Sequence, residues 1–81
     1  MAKIFYFATL VDQLGIAEEE VQFPNSVINV ATLLHWLRTR GPKWQEALAE
    51  NRVSLTINKQ FAALDVQLAQ NDEIAIIPLR A

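Results

Sequence analysis

The sequence predicts an α+β domain: a mixed sheet whose first and last strands lie side by side and parallel, with one main helix packed across it. Three observations carry this. The chain opens on a dense aromatic and β-branched run, Lys3 to Leu10, and closes on an apolar run, Ile74 to Ile77, that reaches Pro78. Between them, only the segment after Asn29 shows a sustained helical stripe. Two apolar strands separated by a crossover helix pair naturally in parallel.

Taken in order, residues 3–10 are expected to be a strand buried on most of both faces, because apolar residues run on without alternation. Val11 to Ala17 holds Gly15, the first turn signal. Glu18 to Phe23 reads as a second strand, with Glu19, Val21 and Phe23 on one side and Glu18, Glu20 and Gln22 on the other, broken by Pro24-Asn25-Ser26. The three glutamates read either as a site for a cation or basic partner, or as a solvated edge guarded against aggregation.

Asn29 is a good N-cap for the helix that follows. Val30, Leu33, Leu34 and Leu37 fall at i, i+3, i+4 and i+7, one apolar stripe. Arg38 and Arg40 occupy its last turn, where cations complement the helix dipole, and Gly41-Pro42 stops it. Pro42 suits the first position of a second short helix, in which Trp44 and Leu48 pair at i, i+4. Val53 to Ile57 alternates cleanly, apolar on odd positions and hydroxyl on even ones. Asn58-Lys59-Gln60 turns the chain into a brief strand starting at Phe61. Leu64 to Asn71 is a loop with Val66 and Leu68 as apolar anchors. The last strand runs from Glu73; its low polarity predicts cover on both faces, and Pro78 should end the pairing and release residues 79–81 as a short tail. The order β-β-α-α-β-β-β, with a helix crossing a mixed sheet, is the β-grasp or ubiquitin-like arrangement.

Composition narrows the function. Eighty-one residues, 52% of them apolar and 20% charged, make one compact domain. A net charge of −2 provides no basic stripe for nucleic acid. There is no cysteine for a disulfide, a nucleophile or a thiolate metal site. No apolar stretch approaches the roughly 20 residues of a membrane span, and Met1-Ala2-Lys3 leads straight into a β-run, so the expected address is the cytoplasm.

Catalytic chemistry is sparse. His35 is the only histidine and lies off the apolar stripe with no orienting partner in view. Asp72 and Glu73 enter a strand as neighbours and point to opposite faces, so they cannot act as a carboxylate pair. Gly15 and Gly41 are the only glycines, too few for a phosphate loop. Trp36 and Trp44 read as helix packing or a ligand box, the former being commoner. The function should therefore lie in what the domain binds and what its end presents.

Four blocks support a comparison: Ile4-Phe5-Tyr6-Phe7-Ala8, Asn29-Val30-Ala31-Thr32-Leu33, Ile57-Asn58-Lys59, and Asn71-Asp72-Glu73-Ile74-Ala75 running into Ile76-Ile77-Pro78. In this order and spacing the whole chain resembles the small subunit of molybdopterin synthase, a family of ubiquitin-like sulfur carriers. The resemblance implies a non-catalytic subunit of a heterotetramer, with no cofactor or metal of its own. An E1-like adenylyltransferase uses ATP to activate the C-terminus, which becomes a thiocarboxylate. The synthase large subunit then receives the tail, and sulfur passes to the cyclic pyranopterin precursor of the molybdenum cofactor. Phe7, Phe61 and Ile77 would face the partner, with Pro78 at the root of a tail formed by Leu79, Arg80 and Ala81; ordinary core packing is the other reading, above all for Phe7. The family ends in Gly-Gly, which this sequence lacks; counted from Pro78, the pair is expected directly after Ala81. A ubiquitin-like binding module, and a carrier for thiamine synthesis or tRNA thiolation, stay open as alternatives.

Overall fold

A computed structural model describes residues 1–49 and 52–79. Five strands form one sheet: β1 (Ala2–Tyr6), β2 (Glu18–Val21), β3 (Val53–Ile57), β4 (Gln60–Ala62) and β5 (Glu73–Pro78). Three helices join them: α1 (Thr9–Leu14), α2 (Val30–Arg38) and α3 (Pro42–Ala47). The strand order is β2-β1-β5-β3-β4. As expected, β1 and β5 are neighbours and parallel, with Ile4 opposite Ile74 and Tyr6 opposite Ile76. The other pairings are antiparallel.

The core lies on one side of the sheet only. Ile4, Tyr6, Leu55, Ile74 and Ile76 meet Leu10, Leu33, Leu34 and Leu37 from the helices and Leu48 just after α3, all buried. The expectation of cover on both faces for β1 and β5 is therefore corrected. Their buried residues alternate with half-buried ones, Lys3 and Phe5 on β1, Ala75 and Ile77 on β5. High apolar content misled, because the second face is apolar without being covered.

The first strand also ends earlier than expected. After Tyr6, one further parallel bond follows, Phe7 N–H to Ile76 O at 3.2 Å. Ala8 then turns the chain, with φ 54° and ψ −130°, and Phe7 O accepts from Leu10 N–H at 3.1 Å. Thr9 to Leu14 is a helix, not strand and loop, and it delivers Leu10 into the core. Gly15 closes that helix in the left-handed region (φ 74°), where a side chain is disfavoured. Alanine lacks that freedom at position 8 and costs about 1–3 kcal/mol there. Ala8→Gly adds roughly 0.4–1 kcal/mol of unfolded-chain entropy in return. The substitution is expected to stabilise the domain by about 1 kcal/mol net, read as a raised urea midpoint with unchanged slope.

The cap of α2 is built as anticipated. Asn29 Oδ1 accepts from Thr32 N–H, and Thr32 Oγ1 accepts from Asn29 N–H, both at 2.9 Å. In the 64–71 loop, Leu68 packs on the core but Val66 is exposed. Val66 holds instead by its backbone, its carbonyl accepting from Val30 N–H at the helix start. The second strand stops at Val21, although Phe23 remains buried; the Gln70 side-chain amide accepts from its N–H at 3.3 Å.

Glu19 has a role that the edge-strand readings missed. Its carboxylate receives Arg40 in a two-pronged ion pair, at 2.8 and 3.0 Å, and the Tyr6 hydroxyl at 2.7 Å. The guanidinium lies over both Trp36 and Trp44, at 5.5 and 4.7 Å from the ring centres, and Trp44 meets Tyr6 edge-on. Arg40 thus ties the end of α2 to the outer strand instead of only complementing a dipole, and the tryptophans serve helix packing. Burial pushes the Tyr6 phenol well above its usual range, reinforced by Glu19. Burial alone would raise the Glu19 carboxyl, but hydrogen bonds from Arg40 and Tyr6 outweigh it and hold it below the usual glutamate value.

A depressed carboxylate pKa adds stability above the unfolded value, and that stability is lost as pH falls through the lower folded value. Glu19→Gln is therefore expected to melt lower than wild type at pH 7 and to flatten the decline in melting temperature below about pH 4.5. Thermal melts from pH 7 to pH 3 check this; equal acid slopes would show that the pair contributes nothing.

Candidate functional site

Strand alternation sorts the uncovered face into rows. One cross-strand row runs Glu18, Phe5, Ala75, Thr56, Phe61. The next, toward the C-terminal end of β5, holds Phe7, Ile77 and Ser54. The row toward the opposite end is charged: Glu20, Lys3 and Glu73. The face is thus apolar at the end where β5 leaves the sheet and ionic at the other.

Phe7, Phe61 and Ile77 all fall in the apolar half. Phe7 is 47% exposed and Phe61 77%, more than core packing allows, while Ile77 is half-buried. Pro78 is separated from them. It pairs with Val53, a core residue, so its ring lies on the helix side of the sheet. It also does not end the pairing. Leu79 N–H donates to Arg52 O at 2.7 Å, and Asn58 N–H to Glu73 O likewise at 2.7 Å. These bonds fix the phase: odd residues of β5 face β3 and even residues face β1. In a continued parallel ladder the N–H that Pro78 lacks would face Phe7 O, but that carbonyl accepts from Leu10 N–H instead, so proline leaves no acceptor unpaired. Leu79 is exposed yet held by its backbone. Arg80 and Ala81 lie outside the described residues.

Phe5, Thr56 and Ala75 complete this face and were not singled out from sequence. Period-2 counting from Ile4 would have found Phe5, had the aromatic run not suggested cover on both sides. Elsewhere, His35 is exposed at the end of α2 beside Arg38, Thr39 and Gln45. Among the described residues, no three His, Cys, Asp or Glu side chains converge as a metal would require, and no helix is long and apolar enough to cross a membrane.

A five-stranded mixed sheet with parallel outer-sequence strands and a capped helix across one face defines the class: a β-grasp, ubiquitin-like domain. Residues 4–81 match the profile of the ThiS family, and the chain belongs to that family. It is 24% identical over 78 residues to the molybdopterin synthase sulfur carrier subunit of Haemophilus influenzae, spanning 96% of this chain and 94% of that one. Among solved structures, it is similar to molybdopterin converting factor, subunit 1, of Pyrococcus furiosus, with a TM-score of 0.76 and 21% identity over 95% of this chain and 94% of that one. Small archaeal modifier protein 1 of Haloferax volcanii is similar as well, with a TM-score of 0.77 and 22% identity over 95% of this chain and 94% of that one. The two structural likenesses are likenesses of fold.

Proposed function

We propose that this protein is the sulfur-carrier small subunit of molybdopterin synthase. The observation that carries the reading is positional. β5 lies in the middle of the sheet, and its end leaves beside the exposed apolar half of the open face. A partner seated on that face receives the C-terminus directly, and a narrow tail enters an active site that a folded domain cannot. Family membership over residues 4–81 and the Haemophilus influenzae relative support the same reading.

The chemistry belongs to the terminus. A carboxylate is a poor electrophile until a good leaving group is attached. On an E1-like adenylyltransferase, the carboxylate attacks the α-phosphate of ATP and releases pyrophosphate. A sulfur nucleophile then displaces AMP and leaves a thiocarboxylate. Docked on the large subunit, that sulfur passes to the cyclic pyranopterin precursor. The domain itself acts as a handle: it supplies the docking face and holds the root of the tail.

The test is reconstitution. Carrier extended by Gly-Gly, large subunit, activating enzyme, ATP and a sulfur source are expected to convert the precursor to its dithiolene product. Activation and transfer confined to a thiazole synthase or a tRNA-thiolating enzyme would reassign the pathway. Binding without any activation would make the protein a ubiquitin-like binding module.

A further inference from the structure

The open face is not flat. Beside the rings of Phe5 and Phe7 on β1, the neighbouring positions Ala75 and Thr56 are small. The result is a hollow of about 260 Å³ over Ala75, walled by Phe5 and Phe7 and bounded by Thr56, with Glu73 and Lys59 at its rim. That volume falls below the roughly 300–1,000 Å³ of small-molecule sites, and its walls are aromatic rather than rich in polar donors. It has the size and surface for one side chain. The charge beside it is unbalanced: Glu18 lies next to Phe5, Glu20 next to Lys3, and Lys3 next to Glu73. The Lys3 ammonium sits 5.7 Å from the centre of the Phe5 ring. The side of the face toward β2 therefore presents carboxylates.

We infer that the partner seats one apolar side chain in the hollow over Ala75 and flanks it with lysine or arginine residues that answer Glu18 and Glu20. This rests on the sulfur-carrier reading, which makes the occupant the large subunit of the synthase. A central apolar anchor in a closed pocket dominates affinity, and charges at the rim act mainly on the rate of encounter. The glutamates of β2 thus divide their work: Glu19 turns inward to Arg40, while Glu18 and Glu20 face the partner.

Binding of the purified chain to the large subunit, followed by biolayer interferometry at two ionic strengths, tests this. Ala75→Leu fills the hollow from its floor while removing no apolar surface. It is expected to weaken binding at least about 30-fold with an unchanged melting temperature. Should Ala75→Leu melt lower, Thr56→Ile narrows the same hollow from β3 and takes its place. The Glu18→Gln, Glu20→Gln double variant is expected to associate several-fold more slowly at low salt, to show a flatter salt dependence, and to dissociate at the wild-type rate. Wild-type affinity in the filled variants overturns the seated side chain, and an unchanged association rate overturns the basic flank; the carrier reading survives both. A folded wild-type chain that does not bind the large subunit overturns that reading and this inference together.

Discussion

A chain extended by Gly-Gly after Ala81 is expected to gain about 16 Da when incubated with the activating enzyme, ATP and a sulfur source, as one terminal oxygen is replaced by sulfur. The same chain ending at Ala81 is expected to fold and to bind the large subunit, yet to leave the precursor unconverted. Folding is retained because Leu79 is the last described residue tied to the sheet, and it is tied by one backbone bond. Docking is retained because Phe7, Phe61 and Ile77 are untouched. Transfer is lost because two residues span on the order of 7 Å of extended chain. A displacement near 1 Å already costs roughly a hundredfold in rate. The backbone bond from Leu79 to Arg52 sharpens the expectation, since a tethered root cannot slide forward to make up the distance. Intact-protein mass spectrometry and precursor turnover check the two halves separately. Full activity of the form ending at Ala81, or an inert extended form with competent partners, would remove the sulfur-carrier function.

Phe61→Ala is expected to weaken association with the large subunit by about 2 kcal/mol, some 30-fold in Kd. Its melting temperature should stay close to that of wild type. The asymmetry follows from position: the ring is 77% exposed on a three-residue strand at the sheet's edge, so truncation leaves no cavity. Exposed substitutions of this kind usually move stability by less than about 0.5 kcal/mol. Calorimetric titration beside a thermal melt separates the two effects. A variant that unfolds while a stabilised version binds normally would place Phe61 in the core and the docking face elsewhere.

What could be read from the chain alone followed how far apart the interacting residues lie. The N-cap at Asn29, the stripe from Val30 to Leu37 and the alternation of Val53 to Ile57 are local patterns, and each became the element it specified. The parallel pairing of β1 and β5 was legible because only those two ends are apolar enough to be central. The helix from Thr9 was hidden because its entry turn uses Ala8, which carries no turn signature, inside an apolar run that continues to Leu10. The Glu19–Arg40 pair joins residues whose side chains have no sequence cue to each other. For the open face, Phe7, Phe61 and Ile77 came from resemblance, whereas Phe5 and Ala75 required the register of three strands. Pro78 was read correctly as a residue that cannot donate, but only the phase of the ladder reveals that no donor was needed there.

The central place of β5 has a consequence for how the protein comes into being. Its ladder partners are β1, made first, and β3, made in mid-chain, so the middle of the sheet stays empty until Glu73 to Pro78 have been synthesised and have left the ribosome. Contacts between distant parts of a chain are the slow ones to form, and here they are also the last available. A nascent chain interrupted before Glu73 exposes the inner faces of Ile4, Tyr6 and Leu55 and is a substrate for proteolysis rather than a shortened carrier. Folding thereby reports on the length of the message: a compact copy of this domain has been translated at least as far as Pro78, the last residue of its central strand.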